Sequence, residues 1–502
     1  MLTVLSAQKF ASRVLTCDVS VLATQAVAAM HRHSKVLRFP KVLLLGDSAR
    51  SRRLVGAFEA AGCDDLLLVD VDSASATSDK VLEFAKQASA IVDARGVFAP
   101  GESTPCSQLL TSIVAVAAER RRASPVLSSS VVSLRSGAAW TRDEVSASPA
   151  PALFAIDGPS PFGAHTDGTL LLGGAVPAAL LTFPAAACTG ELLAIQAGDA
   201  PVDQDVPLLV TRALARQLLP ARPLDGHKGT FGTLLICAGS KDYWGAPLLA
   251  ARGALRAGAG IVALAAPRAL SVAIASSLPE VTMPDVWSSS SGHWDADVAQ
   301  NVLDRSRSMR TRAVLIGPGM ADAVSFLKAY LDGGAALPLV LDADALNALP
   351  VLCSDWWRLL PSRCVLTPHP GEMQRLCATS TPPIAKMTCE ERIALAVTSA
   401  AAWRAVVLLK GAFTVIAAPD GAVRVLPFAS AALAVGGSGD VLAGVIAALC
   451  CQGLAPFDAA VAGAFLHGTA GLQIEAKQGA SGVLAHELAE QIPQARLAVL
   501  TQ

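Results

Sequence analysis

The chain has 502 residues, which at about 150 residues per domain predicts about two to four domains. Apolar residues account for 52% and charged residues for 16%, so the composition allows large buried cores and excludes a disordered chain. The 40 Lys and Arg against 41 Asp and Glu leave a formal charge of -1, which gives no reason to expect a nucleic-acid surface or an anionic membrane partner.

Over about the first 200 residues, short Val/Leu/Ile runs alternate with helical patterns. This α/β pattern predicts strands at residues 41–45, 66–69 and 90–92. A polar stretch with several prolines follows (AGDAPVDQDVP, then LLPARPLDGHKG), which is typical of a linker. We therefore expect a boundary near residue 210, between one domain over residues 1–205 and another over residues 210–500.

The two most prominent hydrophobic stretches are not expected to cross a membrane. Residues 169–188 are uncharged, but glycines and prolines interrupt them and would break a spanning helix. Residues 441–451 are apolar over only about three turns, which indicates a buried core helix. The eleven cysteines are scattered with no CxxC pair, which favours a reducing compartment without disulfides or zinc. We expect a cytoplasmic protein; a mitochondrial location stays open because no acid precedes Asp18.

Strand and helix patterns alternate through the second region. Strands are predicted at residues 233–238, 261–265, 313–316, 337–341, 364–366 and 406–409, and helices at 246–257, 268–277, 390–404, 440–451 and 456–471. The segment TVIAAPDGAVRVLP predicts a hairpin with Pro419, Asp420 and Gly421 at the turn. This alternation predicts a parallel sheet with helices on both faces and ligands at the carboxyl ends of the strands.

The motif GGSGD precedes an apolar helix. Its glycines let the backbone turn tightly, and a helix N-terminus presents unpaired N–H groups to an anion. We expect an anion hole formed by Gly436, Gly437, Ser438 and Gly439. Asp440 is either a proton acceptor beside a phosphate or a helix N-terminal carboxylate that interacts with the helix dipole.

Further candidate residues follow other predicted strands. The small residues around Ala246 permit either close approach of a ligand or tight packing of a helix on its sheet, and GPGM at 317–320 follows another strand. Asp342 and Asp344 could hold Mg²⁺ at a strand end, or one of them caps the next helix.

Two more polar side chains are expected at the same sheet edge. His369 lies between two prolines in TPHPGE, where it is either a structural histidine or part of a site. Lys410 ends an apolar strand in LKGAFT, where it either binds phosphate or keeps a sheet edge soluble. Together these signals describe a nucleotide phosphoryl-transfer site with a positive cradle, a base and acids for a metal.

From about residue 225 onward, the sequence resembles the ADP/ATP-dependent NAD(P)HX dehydratases, repair enzymes of the ribokinase-like superfamily that act on hydrated nicotinamide nucleotides. The resemblance rests on HKGTFG, GAPLLAARGALRAGAG, LPE, GPG, LDADALNAL, TPHPGE, LKGAFT, GGSGDVLAG and AFLHG, which occur in family order. It implies a three-layer α/β/α domain. One departure is ASAALAV at 429–435, which replaces the usual GNP-x-(M/L)-A-T and removes an Asn and a Thr before the anion hole.

The resemblance also implies a role for individual residues. Nucleotide binding would fall to Lys410, Gly411, Ala412, Phe413, Thr414 and Gly439. The hydrated nicotinamide nucleotide would face Ala246, Gly319, His369 and Asp440, with Asp440 as the base that activates the substrate hydroxyl. The implied partners are NADHX or NADPHX, with Mg²⁺ and with ADP or ATP as phosphoryl donor. The fused two-domain architecture favours ADP, and family members tend to form homo-oligomers.

The first 200 residues or so resemble the Rossmann-like NAD(P)HX epimerase domain of fused family members, through VLSAQ, IVDA and AIDGPS. Asp93, Asp157 and Ser160 match its catalytic, substrate and potassium positions. The usual Gly/Asn-rich phosphate loop is replaced by GDSARSRRL at 46–54. We therefore expect an epimerase-like fold with impaired or absent activity that serves as scaffold or oligomer surface, with K⁺ bound if it is active.

Two alternative functions remain open at this point. One is a kinase that phosphorylates a small vitamin or sugar alcohol, since the same base and anion hole would serve. The other is a non-catalytic nucleotide-binding or assembly protein.

Overall fold

A computed structural model describes residues 207–287, 292–334, 336–378 and 383–501, together with Leu181 and the strands of the first 206 residues. The chain divides into two compact units, Met1–Val206 and Pro207–Gln502.

Parallel strands make up the described part of the first unit. They are β1 (Leu2–Leu5), β2 (Lys41–Leu45), β3 (Asp65–Val69), β4 (Ala90–Asp93), β5 (Ala152–Ile156), β6 (Gly168–Leu172), β7 (Ala175–Pro177) and β8 (Glu191–Ile195). Six of them form a sheet in the order β3-β2-β4-β5-β6-β8, and β1 pairs with β7. The strands predicted at 41–45, 66–69 and 90–92 are confirmed to within one residue. Asp93 is the last residue of β4, whereas Asp157, Ser160 and the segment 46–54 lie outside the described residues.

The second unit is built on a mixed sheet, mostly parallel, in the order β11-β10-β12-β13-β14-β15-β16-β17-β9. Its strands are β9 (Leu208–Leu209), β10 (Thr233–Cys237), β11 (Ile261–Ala265), β12 (Thr311–Ile316), β13 (Leu339–Leu341), β14 (Cys364–Leu366), β15 (Val406–Leu409), β16 (Val415–Ala417) and β17 (Val423–Val425). Strands β10 to β15 run parallel, and β16 and β17 form the predicted antiparallel hairpin. Strands β13, β14 and β15 are apolar and buried along their whole length, which is typical of a parallel sheet covered by helices.

Helices pack against this sheet. They are α1 (Arg212–Leu218), α2 (Gly245–Arg256), α3 (Ser271–Ser277), α4 (Ala296–Ser308), α5 (Val324–Asp332), α6 (Asp344–Leu352), α7 (Pro370–Leu376), α8 (Cys389–Trp403), α9 (Ser438–Cys451), α10 (Pro456–Gln478) and α11 (Ala485–Thr501). Short 3₁₀ turns occupy Arg268–Leu270, Trp356–Leu359, Ile384–Lys386 and Ala431–Leu433.

The predicted elements differ from the observed ones mainly at their ends. The strand expected from residue 337 begins at Leu339, because Pro338 has no N–H to donate to a strand ladder. The segment 268–277 is a 3₁₀ turn followed by α3 rather than one helix. Helix α10 continues to Gln478 rather than stopping at Gly471, whose missing side chain makes room for Leu433.

Helix α9 is the central helix of the second unit and is buried from Val441 to Cys451, as its apolar sequence predicts. Two glycines let α2 approach it closely, since a Cβ at Gly444 would overlap the carbonyl oxygen of Ala250, and one at Gly253 the carbonyl oxygen of Val441. This contact fixes the N-terminus of α9 beside α2 at the edge of the sheet. No helix of the described residues is long and apolar enough to cross a membrane.

Candidate active site

Three neighbouring strands end side by side at one edge of the sheet. The strand register pairs Leu341 with Leu366, and Leu366 with Val407. The residues that follow these strands therefore lie next to one another, which brings Asp342 and Lys410 together although 68 positions separate them in the chain.

A buried ion pair forms the centre of this edge. The Lys410 Nζ lies 2.9 Å from Asp342 Oδ1 and 3.7 Å from Glu372 Oε2. The Thr367 hydroxyl donates a 2.8 Å hydrogen bond to the same Asp342 oxygen. Burial alone would lower the pKa of Lys410, but the two carboxylates outweigh it and the pKa is raised, so the ammonium stays charged. Strand β15 lies between β14 and β16, so it is an interior strand of the sheet. The interpretation of Lys410 as a charge that keeps an outer strand soluble is therefore wrong.

The N-terminus of α9 meets this ion pair. The helix begins at Ser438 after Gly437, whose φ of 87° is the left-handed conformation that glycine favours. A Cβ at Gly439 would lie 3.3 Å from Lys410 Nζ and 3.8 Å from Asp342 Oδ2. The first turn of α9 therefore lies against the lysine, and glycine permits that approach.

Asp440, in the same first turn, has the properties of a base. Burial, followed by the negative charge of Asp342, raises the pKa of Asp440 to about 7, although Lys410 opposes the shift. A carboxylate with this pKa exchanges protons near neutral pH, as general acid–base catalysis requires. Perturbed carboxylates in a cleft are also candidates for function on physical grounds.

The Ser438 side chain lies inside the protein. Its Oγ is 3.2 Å from Nε2 of His467, in the middle of α10, and both residues are buried. Burial lowers the pKa of His467 to about 4, so the ring is neutral. Ser438 can therefore contribute to an anion hole through its backbone. His467 was not among the predicted site residues, although a histidine within an apolar helix (AFLHG) was a usable signal.

His369 caps helix α7. Its Nδ1 accepts hydrogen bonds from the N–H groups of Gly371 and Glu372 at 3.0 Å and 3.4 Å, and the Glu372 carboxylate accepts one from the His369 N–H at 2.8 Å. Burial, and then the charge of Lys410, lower the pKa of His369 and keep it neutral. Its side chain remains 51% exposed, so the structural and ligand-facing interpretations are compatible. Burial raises the pKa of the Glu372 carboxyl.

The expectation that Asp342 or Asp344 caps the next helix is wrong. The N-cap of α6 is Ala343, with φ 49° and no side-chain cap. Each carboxylate has another partner, since Asp342 pairs with Lys410 and Asp344 accepts a 2.8 Å hydrogen bond from the N–H of Ala321. The pKa of Asp344 is raised, mainly because its carboxyl is partly buried.

The ends of β10 and β12 bring Ala246 and Gly319 together. Gly319 has φ 63°, and a Cβ there would lie 2.8 Å from the Ala246 Cβ and 2.7 Å from that of Tyr243. One turn along α2 from Ala246, Leu249 occupies the space above Gly437. This contact joins the Ala246 end of α2 to the start of α9.

The LKGAFT segment turns sharply after β15. Gly411 has φ 144° and Phe413 has φ 52°. Thr414 Oγ1 donates to the Gly411 carbonyl at 2.9 Å, and the Phe413 N–H donates to the Phe428 carbonyl at 2.7 Å. The Phe413 ring is buried, which leaves its backbone as the part that a ligand could contact. Ala412 is exposed at the tip of this turn.

A metal at this site would need ligands beyond the protein. Within the described ranges, no group of three or more His, Cys, Asp or Glu is arranged to hold a metal ion. Four carboxyls nevertheless lie close enough to shift one another's pKa, and a single lysine, Lys410, lies among them: they are those of Asp342, Asp344, Glu372 and Asp440. A bound cation would offset this excess of negative charge. Mg²⁺ commonly takes one or two carboxylates together with substrate phosphates, and this donor set fits that use.

Comparisons with known proteins match mainly the second unit. The NAD(P)H-hydrate dehydratase family model matches residues 234–494. A bifunctional NAD(P)H-hydrate repair enzyme of Moorella thermoacetica is 39% identical over 328 residues, which cover 62% of this chain and 59% of that protein. The ADP-dependent (S)-NAD(P)H-hydrate dehydratase of Bacillus subtilis is 35% identical over 288 residues, which cover 57% of this chain and 96% of that protein.

The ADP/ATP-dependent NAD(P)H-hydrate dehydratase of Bacillus subtilis, co-crystallized with ATP/Mg²⁺, matches with 35% identity and a TM-score of 0.49 over 58% of this chain and 98% of that one. The matched part of this chain spans between about half and two thirds of the length of the bifunctional relatives.

Proposed function

Because the chain belongs to the NAD(P)H-hydrate dehydratase family, we propose that its second unit dehydrates (S)-NAD(P)HX to NAD(P)H, driven by ADP or ATP. We also propose that the unit has the three-layer α/β/α arrangement of ribokinase-like proteins. The observation that carries it is Asp440, a carboxyl with a pKa of about 7 in the first turn of a buried helix, beside a protonated lysine.

The substrate would lie across the sheet edge. We assign it to Ala246, Gly319, His369 and Asp440, as the family resemblance implies. Two features support this assignment: Gly319 and Ala246 lie against each other at the ends of β10 and β12, and His369 keeps half of its neutral ring exposed.

The nucleotide would bind between the LKGAFT segment and the start of α9. We assign it to residues 410–414 and to Gly439, with its phosphates at the N–H groups of residues 436–439. The support is a helix N-terminus that lacks a side-chain cap and adjoins the Lys410 ammonium, a combination that favours an anion.

The chemistry follows from the protonation state of Asp440. Its carboxylate accepts the proton of the substrate hydroxyl as that oxygen forms a bond to the terminal phosphorus of the nucleotide and the bond to the nucleotide's leaving oxygen breaks. Hydroxide is a poor leaving group, whereas the phosphate ester formed is a good one. Phosphate then departs with the electron pair of its C–O bond, the neighbouring ring carbon loses a proton to water, and the electron pair of that C–H bond forms the double bond of NAD(P)H.

Two further groups shape this site. Lys410 remains protonated and stabilises negative charge at the start of α9. Mg²⁺ would be held by Asp342 or Asp344 together with nucleotide phosphates, and when bound it would neutralise charge on the transferred phosphoryl group. We expect ADP to be the preferred donor.

The proposal is tested by Asp440→Asn. We expect NADH formation from NADHX and ADP, followed by absorbance, to fall by at least about a hundredfold, the usual contribution of a general base. ADP binding and the unfolding curve should persist. The matched control is Asp458→Asn, another first-turn carboxyl of a buried helix, which should keep full activity. Unchanged turnover in Asp440→Asn would disprove the assignment, and a phosphorylated product that accumulates would indicate a kinase.

For the first unit we propose an epimerase-like fold of impaired or absent activity, which would bind K⁺ if active and could provide an oligomer surface. The support is the replacement of the Gly/Asn-rich loop at residues 46–54. When the full chain receives pure (R)-NADHX with ADP, NADH should form no faster than spontaneous epimer exchange allows. Faster formation would overturn this proposal and leave the dehydratase proposal intact.

A further inference from the structure

Arg392 of helix α8 reaches the backbone of the LKGAFT segment. Its Nη1 donates to the Ala412 carbonyl at 2.6 Å, and its Nη2 lies 3.2 Å from the Leu409 carbonyl oxygen and 3.4 Å from that of Lys410. One planar guanidinium thus binds three carbonyls within four consecutive residues. The fixed fork of arginine donors suits such a task, which the single ammonium of lysine cannot perform.

Each backbone carbonyl from residue 409 to residue 412 accepts a hydrogen bond from a side chain. Arg392 donates to the carbonyls of residues 409, 410 and 412, and Thr414 Oγ1 donates to that of Gly411 at 2.9 Å. The turn includes a non-glycine residue in the left-handed region, Phe413 with φ 52°. Such a conformation persists only where its surroundings fix it.

Among the residues that the structure describes, no carboxylate forms an ion pair with Arg392, and its three hydrogen bonds all go to backbone carbonyls. A Cβ at Gly411 would lie 3.0 Å from Nη2, so the glycine permits the close approach of the guanidinium. The arginine and the glycine thus fit each other.

We propose that Arg392 is a positioning residue for the nucleotide, because it holds the backbone of residues 409–412 in the conformation that binds it. The inference rests on the proposed function, which assigns the nucleotide to this segment. It predicts a selective effect: loss of Arg392 impairs nucleotide binding and leaves binding of NADHX alone unchanged.

The test compares Arg392→Ala, Arg392→Lys and a control, Arg358→Ala, which removes an exposed guanidinium paired with Asp355. Calorimetry on the full chain measures the Kd for ADP and, separately, for NADHX. Loss of three charge-assisted hydrogen bonds should raise the Kd for ADP in Arg392→Ala by at least about tenfold. The Kd for NADHX should stay within about twofold of wild type. The Lys variant should remain impaired, and added guanidinium should restore ADP affinity to the Ala variant.

Hydrogen exchange of residues 409–414 provides a second measurement that needs no ligand. Exchange should accelerate in Arg392→Ala while α9 stays protected. Unaltered exchange, equal losses of ADP and NADHX affinity, or full recovery in Arg392→Lys would overturn the inference. If the wild-type chain binds no ADP, the proposed nucleotide function fails, and the exchange measurement still decides whether Arg392 orders the segment.

Discussion

Removal of the cation at the centre of the site should destabilise the second unit. In Lys410→Met, the carboxylates of Asp342 and Glu372, 1% and 5% exposed, lose their shared partner. Breaking a buried pair in this way costs about 3–5 kcal/mol, because a buried charge is left uncompensated. We expect a loss of free energy of unfolding in this range.

A double variant separates the charge effect from the effect of packing. Asp342→Asn keeps an oxygen that can accept from the Thr367 hydroxyl but removes the charge. Lys410→Met combined with Asp342→Asn should therefore be less destabilised than the sum of the two single variants, by about 1–3 kcal/mol.

Urea unfolding followed by tryptophan fluorescence measures this effect, because six of the seven tryptophans lie in residues 207–502. The control is Lys328→Met, which removes an exposed lysine paired with Asp332 and should change little. If Lys410→Met unfolds at the wild-type urea concentration, or if the two substitutions are additive, the buried pair does not carry the stability assigned to it.

Three further predictions concern residues of helices α9 and α10. The pKa of His467 is about 4 in the folded chain against an ordinary 6.5, so its contribution to stability is full above pH 6.5 and falls by about 3 kcal/mol as the pH drops to 4. His467→Gln should abolish this pH dependence of the free energy of unfolding, as measured by urea titrations at each pH. Gly444→Ala should cost about 1–3 kcal/mol or more, since its Cβ overlaps α2, whereas Gly245→Ala, with open space at its Cβ, should be nearly neutral by thermal melting. Finally, kcat/KM for NADHX should rise with pH up to about 7 as Asp440 ionises; a flat profile between pH 5.5 and 8.5 would contradict its role as base.

The positions of the strands were largely predictable because apolar runs record burial on both faces of a parallel sheet. The strands β11, β14 and β15 begin and end at the predicted residues. The boundaries that differ follow local chemistry, such as the proline before Leu339. Helix ends were less predictable. Helix α10 continues past Gly471, where the absence of a side chain leaves room for Leu433.

The candidate site was predictable as a set of positions but not as a network. Asp342, His369 and Lys410 were recognised from their places after strands, yet the partner of Lys410 depends on which strands are neighbours, and Asp342 lies far away in the chain. The cap expected from Asp342 or Asp344 failed for the same reason, because tertiary partners took both carboxylates. Arg392 lies on a helix outside the motifs, and its role emerges only from the three carbonyls it contacts.

The enclosure of α9 has a consequence for how the protein can move. This helix of 14 residues is about 21 Å long and is held on its sides by the packed glycine contacts with α2 and by α10, so a shift or rotation would have to move these neighbours as well. The backbone of Asp440 is therefore held by the core, and we expect adjustment to arriving ligands to come from the chain opposite it. Liganded and free forms of this unit are best superposed on α9, which serves as their common reference frame.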